Sequence, residues 1–146
     1  MSNAPEQLAI FAPFFGMLML TFVVWLFMYV RRLRFLYANN IDPQQLTTPD
    51  KGAGIIPEAI SYPAHNLRNL LELPVVFYAL CLYLFTTGQV DRVDLVLGWV
   101  FLGFRCVHSA IHCTVNIVKL RFASHMAASL ALWSMLGLAI FERIST

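Results

Sequence analysis

Four long apolar stretches constrain this chain more than any other feature. They cover about residues 8–30, 64–87, 93–118 and 122–141. A helix of about 20 apolar residues is long enough to cross a hydrocarbon core about 30 Å thick. The chain is also only 12% charged, whereas soluble domains carry about 25% charged residues. We therefore predict a single domain over residues 1–146 with an all-α fold, an integral membrane four-helix bundle.

The basic residues between the spans predict the orientation of the bundle. They gather in the first and third connections, which hold Arg31, Arg32, Arg34, Lys51, Lys119 and Arg121. Short connections rich in Lys and Arg stay in the cytoplasm, so both termini should lie on the opposite side. The first connection, residues 39–61, contains three prolines and two glycines and is expected to be irregular. A net charge of only +2 gives no indication of nucleic-acid binding.

Polar residues interrupt the second and third spans. Asn66, Asn69 and Glu72 recur every third residue in span two, just before Pro74. Span three carries a second polar set, Arg105, His108 and His112. Ionisable groups at membrane depth are costly and face protein or water. The two sets should therefore meet each other, or a polar ligand, in the cytoplasmic half, where Pro74 should bend span two beside Glu72.

A purely structural interpretation of these residues stays open. Glu72 could pair with Arg105 directly or through one water, within a subunit or across an interface, as a clasp that sets helix register. The histidines would then be ordinary interior residues. We expect no metal site, because no cysteine lies on the polar face at ligand spacing. Three cysteines inside apolar runs indicate small buried side chains rather than a disulfide framework.

With the polar positions in place, the chain resembles the family of membrane-associated proteins in eicosanoid and glutathione metabolism. The second-span signature of that family is an Asn, a Glu three residues later and a nearby Pro, matched here by Asn69, Glu72 and Pro74. Its third-span signature is an Arg followed by residues three and seven positions on, with another Arg near the start of span four. These positions read Arg105, His108, His112 and Arg121.

The pattern looks most like the bacterial branch of the family and is microsomal glutathione transferase-like. Two differences stand out. His65 occupies the position of a family arginine that holds a glutathione carboxylate, and His108 and His112 occupy the positions of span-three tyrosines. The resemblance implies a homotrimer in a bacterial inner membrane with periplasmic termini. In that family each site lies between the second and third spans of neighbouring subunits.

The function implied by the resemblance is a glutathione-dependent transferase or peroxidase acting on a lipophilic electrophile from the bilayer. Glutathione would be the co-substrate, with Arg121 as the residue that stabilises its thiolate. The other implied glutathione-binding residues are Asn66, Asn69, Glu72, Arg105, His108 and His112. Two alternatives stay open: a non-catalytic lipid-binding protein of the same fold, and an accessory subunit of a larger membrane complex.

Overall fold

The computed structural model describes residues 7–145, with the exception of the side chains of residues 49, 50, 53 and 142–145. Apart from a short 3-10 helix, Pro43–Leu46, the regular elements of this part of the chain are six α-helices. They are α1 Phe11–Ala38, α2 Pro49–Ile55, α3 Glu58–Leu70, α4 Leu73–Thr87, α5 Arg92–Cys113 and α6 Val118–Ser145.

Four of the resulting rods are long and apolar enough to cross a membrane. They are Phe11–Ala38, the joined pair α3 and α4 over Glu58–Thr87, Arg92–Cys113 and Val118–Phe141. Only 17% of the most apolar stretch of α1 is buried inside the protein, as expected for a helix that faces lipid. The predicted all-α membrane bundle of four spans is confirmed. The first six residues and the side chain of Arg143 lie outside the part of the chain that the structure describes.

The first connection is more ordered than we predicted. Its prolines start helices instead of preventing them: Pro43 and Pro49 each occupy a first-turn position, where a missing N–H costs nothing. The side chains of Asp42 and Thr48 cap these two elements by accepting backbone N–H groups. Because α3 begins at Glu58, Pro63 lies inside that helix and not in its first turn.

The third connection lies earlier in the chain than predicted, at residues 114–117 instead of 119–121. Helix α5 ends at Cys113, and α6 begins at Val118. Between them Asn116 adopts a positive φ of 48°, a left-handed conformation that Asn tolerates better than most residues. The apolar residues around this turn concealed it in the sequence. As a consequence Arg121 lies in the first turn of α6 rather than in a loop.

Span two is interrupted where Pro74 was expected to bend it. Helix α3 stops at Leu70 and α4 restarts at Leu73, leaving Leu71 and Glu72 between them. Proline has no N–H to donate to the carbonyl of Leu70, and its ring disfavours helical backbone before it. The bend beside Glu72 is therefore confirmed, as a full break in the helix.

Helix α5 lies at the centre of the bundle, in contact with α1, α3 and α6. Phe101 on α5 stacks on Phe77 of α4, with ring centroids 4.6 Å apart. On the α1 side, a Cβ added at Gly16 would lie only 2.5 Å from a methyl carbon of Leu102. This glycine lets α1 and α5 approach closely, as small residues do between membrane helices.

One buried side chain ties the start of the described chain to the turn between α4 and α5. The amide of Gln7 donates to the carbonyl of Val90 at 2.9 Å, and its oxygen accepts the Val90 N–H at 3.1 Å. The side chain thus pairs with both polar groups of one residue, as a neighbouring strand would. Both residues are buried, so the loss of these bonds would leave buried polar groups unpaired, at a cost in free energy.

We expect Gln7→Ala to lower the free energy of unfolding by about 1–3 kcal/mol, because it leaves a buried N–H and a buried C=O unpaired. Thermal unfolding in mild detergent measures this loss. Gln89→Ala is the matched control, since Gln89 lies in the same turn and its side chain accepts only an exposed bond from Thr87. Equal stability of the Gln7 variant and the control would contradict the assignment.

Candidate functional site

A polar cavity of about 290 Å³ lies where the end of α3, the end of α5 and the start of α6 meet. This volume is at the lower end of the range for small-molecule sites, about 300–1,000 Å³. The cavity carries two guanidinium groups, one carboxylate, an amide and two imidazoles. These belong to His65, Arg68, Asn69, Glu72, His112 and Arg121.

Arg105 lies behind the polar cavity and is completely buried, with 0% of its surface exposed. One terminal nitrogen donates to the backbone carbonyl of Asn69 at 2.6 Å, and the other lies 3.3 Å from Nδ1 of His125. The last carbonyls of a helix have no partner within that helix. They also carry partial negative charge, which favours a nearby cation. Arg105 thus closes the open end of α3 at the break.

The direct contact predicted between Glu72 and Arg105 within one chain is not formed. Glu72 is exposed, and its carboxylate makes no hydrogen bond or ion pair within the described part of the chain. Arg105 instead binds the backbone carbonyl that the break exposes. A contact through water or across a subunit interface stays a prediction.

Arg121 is held from two sides. Its guanidinium donates to the side-chain oxygen of Asn116 at 2.6 Å, in the turn before α6. Its backbone carbonyl lies 3.0 Å from Nδ1 of His108. A carbonyl only accepts, so Nδ1 of His108 carries the proton and Nε2 is an acceptor. His108, 2% exposed, therefore positions the backbone of Arg121 from α5.

His112 is the residue of span three that reaches the polar cavity. It is 3% exposed, and its Nδ1 is buried without a hydrogen-bond partner. The Nε of Arg105 and the Nε2 of His108 are also buried without a hydrogen-bond partner. The ring of His108 lies 5.5 Å from both His112 and His125. These side chains form a dense buried polar layer between the polar cavity and the apolar core.

Asn66 lies away from the polar cavity. It is 0% exposed, accepts a bond from the hydroxyl of Ser109 and donates to the sulfur of Cys113. Arg31 donates to the backbone carbonyl of Cys113 at 3.1 Å and so caps the end of α5, in addition to any role in topology. Of the seven predicted site residues, Asn69, Glu72, His112 and Arg121 line the cavity, and Arg105 and His108 support it.

Two cavity residues, His65 and Arg68, were not among the predicted site residues. The signal that finds them is the helical period, because positions 65, 68, 69 and 72 lie within one narrow face of a helix. The set Asn66, Asn69 and Glu72, spaced by three, drifts around the helix by about 60° at each step. The described residues include no group of three or more His, Cys, Asp or Glu that could hold a metal ion.

We expect Arg105→Met to lower the free energy of unfolding by about 1.5–3 kcal/mol, since it removes a charged hydrogen bond to a buried carbonyl. Glu72→Gln should change stability by less than about 1 kcal/mol, as for an exposed charge without a direct partner. Thermal unfolding of both variants in mild detergent compares them. Equally large losses would instead show that Glu72 and Arg105 are coupled, as the clasp interpretation requires.

No curated protein and no solved structure matches this chain. The model of the MAPEG family, the family of membrane-associated proteins in eicosanoid and glutathione metabolism, matches residues 10–141. That range contains all four spans and every residue of the polar cavity. The chain is a member of the MAPEG family, with the four-helix membrane fold of that family.

Proposed function

We propose that this protein is a glutathione-dependent transferase or peroxidase that acts on lipophilic electrophiles dissolved in the membrane. The observation that carries the proposal is the polar cavity, which collects Asn69, Glu72 and Arg121 from separate elements. Members of the MAPEG family include enzymes of this class. The proposal extends the family assignment to the bacterial, microsomal glutathione transferase-like branch, on the signature Asn69, Glu72 and Pro74.

The cavity offers complementary groups for glutathione, which presents two carboxylates, one ammonium group, peptide amides and a thiol. Arg68 supplies a planar, permanently charged fork for a carboxylate, and so compensates for His65 at the position of the family arginine. Glu72 is the only carboxylate in the cavity lining and suits the ammonium group. Asn69 can both donate to and accept from the peptide groups.

Arg121 is placed to stabilise the thiolate. A cation near sulfur favours the thiolate, which is the reacting form of a thiol. The first turn of α6 adds free N–H groups and the positive end of the helix dipole, both favourable to an anion. Because Asn116 and His108 hold Arg121, the group is preorganised and does not have to be ordered during the reaction.

In the transferase reaction the thiolate sulfur forms a bond to an electrophilic carbon, and the leaving group departs with the displaced electron pair. The bilayer supplies the electrophile, and the cytoplasm supplies glutathione. In this proposal His112 contacts the ligand, whereas Arg105 and His108 act from behind the cavity. Asn66 then holds α3 against α5 and does not contact glutathione.

The proposal includes a homotrimer in a bacterial inner membrane with periplasmic termini. Two features support it besides the family. Glu72 is exposed beside an apolar half-helix in a single chain, and a second copy would cover a group that is costly to leave in lipid. The basic residues of the first and third connections support cytoplasmic placement of the polar cavity.

A second candidate function is non-catalytic lipid binding. An apolar groove of about 380 Å³ lies between α4 and α6 and is lined by side chains such as Val76, Tyr83 and Leu136. Its described lining carries no ionisable group apart from the tyrosine and suits an acyl chain. This groove is remote from Arg121 along α6, so binding there would not by itself bring a lipid to the thiolate.

We expect Arg121→Ala to reduce turnover toward a generic aromatic electrophile by about 100-fold, since one preorganised donor to a developing anion is worth that much. Its affinity for glutathione should change little, whereas Glu72→Ala should weaken binding itself. Calorimetry with millimolar glutathione on the solubilised protein gives affinity, and steady-state kinetics give turnover.

Lys119→Ala is the matched control, because Lys119 is an exposed cation in the same helical turn and does not line the cavity. It should keep both affinity and turnover. Absence of binding heat together with absence of transferase activity in the unmodified protein would rule out this function in favour of the non-catalytic one.

The proposed orientation predicts that two cysteines, introduced one at a time, are accessible from opposite sides of the membrane. A cysteine replacing exposed Gln45 should react with an impermeant maleimide only from the cytoplasmic side, and one replacing Gln89 only from the other side. Labelling of the unmodified protein measures the background from its own cysteines, which all lie in membrane helices: Cys81, Cys106 and Cys113. Labelling of the Gln89 variant from the cytoplasm would overturn the orientation.

A further inference from the structure

A second polar cavity, larger than the first, lies under the first connection. We call it the interfacial cavity. It measures about 480 Å³ and lies between the last turns of α1, the short helices of the connection and α3. Its lining combines aliphatic side chains with two guanidinium groups, one imidazole and three hydroxyls. The polar lining residues are Arg32, Thr47, Thr48, Ser61, His65 and Arg68.

The two arginines of the interfacial cavity have no counter-charge among its described lining residues. The guanidinium groups of Arg32 and Arg68 make no hydrogen bond or ion pair within the part of the chain that the structure describes. Arg31 and Arg121, by contrast, each bond to a fixed oxygen. Arg32 is also half-buried, which raises the cost of leaving its charge unpaired. The cavity therefore presents two cations to one volume, with no carboxylate among its described lining residues.

The other lining groups specify the chemistry of a suitable anion. Thr47, Thr48 and Ser61 each carry a hydroxyl that can donate. Two guanidinium forks and several hydroxyls match the oxygens of a phosphate group better than a single carboxylate, which offers only two oxygens. Met28 and Ile60 also line the cavity and add apolar contact surface. A free inorganic ion would not use this surface.

The position of the cavity along α1 agrees with this chemistry. Helix α1 has 28 residues, which at about 1.5 Å each give about 42 Å, more than the hydrocarbon core of about 30 Å. Its last turns, with Arg32, therefore lie at the level of the lipid headgroups. Basic pockets between membrane helices on the cytoplasmic side attract the headgroups of anionic lipids.

We infer that the interfacial cavity binds the phosphate of an anionic phospholipid, with Arg32 as its main ligand and with Arg68 shared between this phosphate and the ligand of the polar cavity. The acyl chains run along the apolar surface near Met28 toward the bilayer. His65 and Arg68 line this cavity and the polar cavity as well, so the lipid phosphate and a ligand of the polar cavity share one wall. The inference does not depend on the proposed reaction.

Lipid binding by the delipidated full-length protein in mild detergent tests the inference. The probe is short-chain phosphatidylglycerol, titrated by native mass spectrometry. We expect one tight adduct per chain, and Arg32→Gln should weaken it by at least about tenfold, the cost of one charge-assisted hydrogen bond. Arg34→Gln is the matched control, since Arg34 is an exposed arginine on the same helix outside the cavity.

Ser61→Ala provides a milder second variant in case Arg32→Gln does not fold, and it should weaken the adduct by a smaller factor. Parallel titrations separate the possible sources of the anion. Inorganic phosphate that binds as tightly as the lipid would overturn the lipid assignment. Displacement of the lipid by millimolar glutathione would assign the cavity to the thiol ligand and overturn it too. Equal lipid binding by the Arg32 and Arg34 variants would exclude Arg32 as a ligand.

Discussion

The hydrogen bond between the buried guanidinium of Arg105 and the carbonyl of Asn69 is the interaction on which the rest of the structure depends. Pro74 forces a break in span two, and a break inside a membrane protein exposes backbone carbonyls that lipid cannot satisfy. Arg105, at 2.6 Å from one of them, supplies the missing donor from the central helix. The charge is tolerated because it faces the negative end of α3 rather than an apolar wall.

The same break creates the polar cavity. An unbroken helix would carry Glu72 on a continuous surface, whereas here the residue lies between two half-helices, at the edge of a space bounded by α5 and α6. Helix α5 then contributes twice to this space. His112 lines it directly, and His108 binds the backbone of Arg121 on the far side. The break in span two thus lies where residues of two other helices, α5 and α6, reach the same cavity.

Sequence reasoning recovered the spans because membrane insertion depends on the summed hydropathy of about twenty residues, a property of each stretch alone. Of the residues predicted from the sequence, Asn69, Glu72 and Arg121 do line the polar cavity. Asn66 lies away from it, and Arg68 was not named, because counting every third residue gives the wrong phase on a helix of 3.6 residues per turn. The partner of Arg105 is a backbone carbonyl, which no pattern of side chains reveals.

The turn after α5 was hidden for a similar reason. Its boundary depends on the left-handed backbone of Asn116 amid apolar neighbours, so a hydropathy profile continues through it. For the first connection the sequence predicts too little regular structure. Its prolines indicate irregular chain, although Pro43 and Pro49 are placed where proline starts a helix.

The divided second span also bears on how the protein enters its membrane during synthesis. Helices α3 and α4 have 13 and 15 residues, or about 20 and 22 Å at about 1.5 Å per residue, so neither half alone crosses a core of about 30 Å. The polar half carries Asn66, Arg68 and Asn69, which resist transfer into lipid. Only the two halves together are long enough to cross the core, so the span has to enter the bilayer as one unit, and its polar half then finds partners on α5.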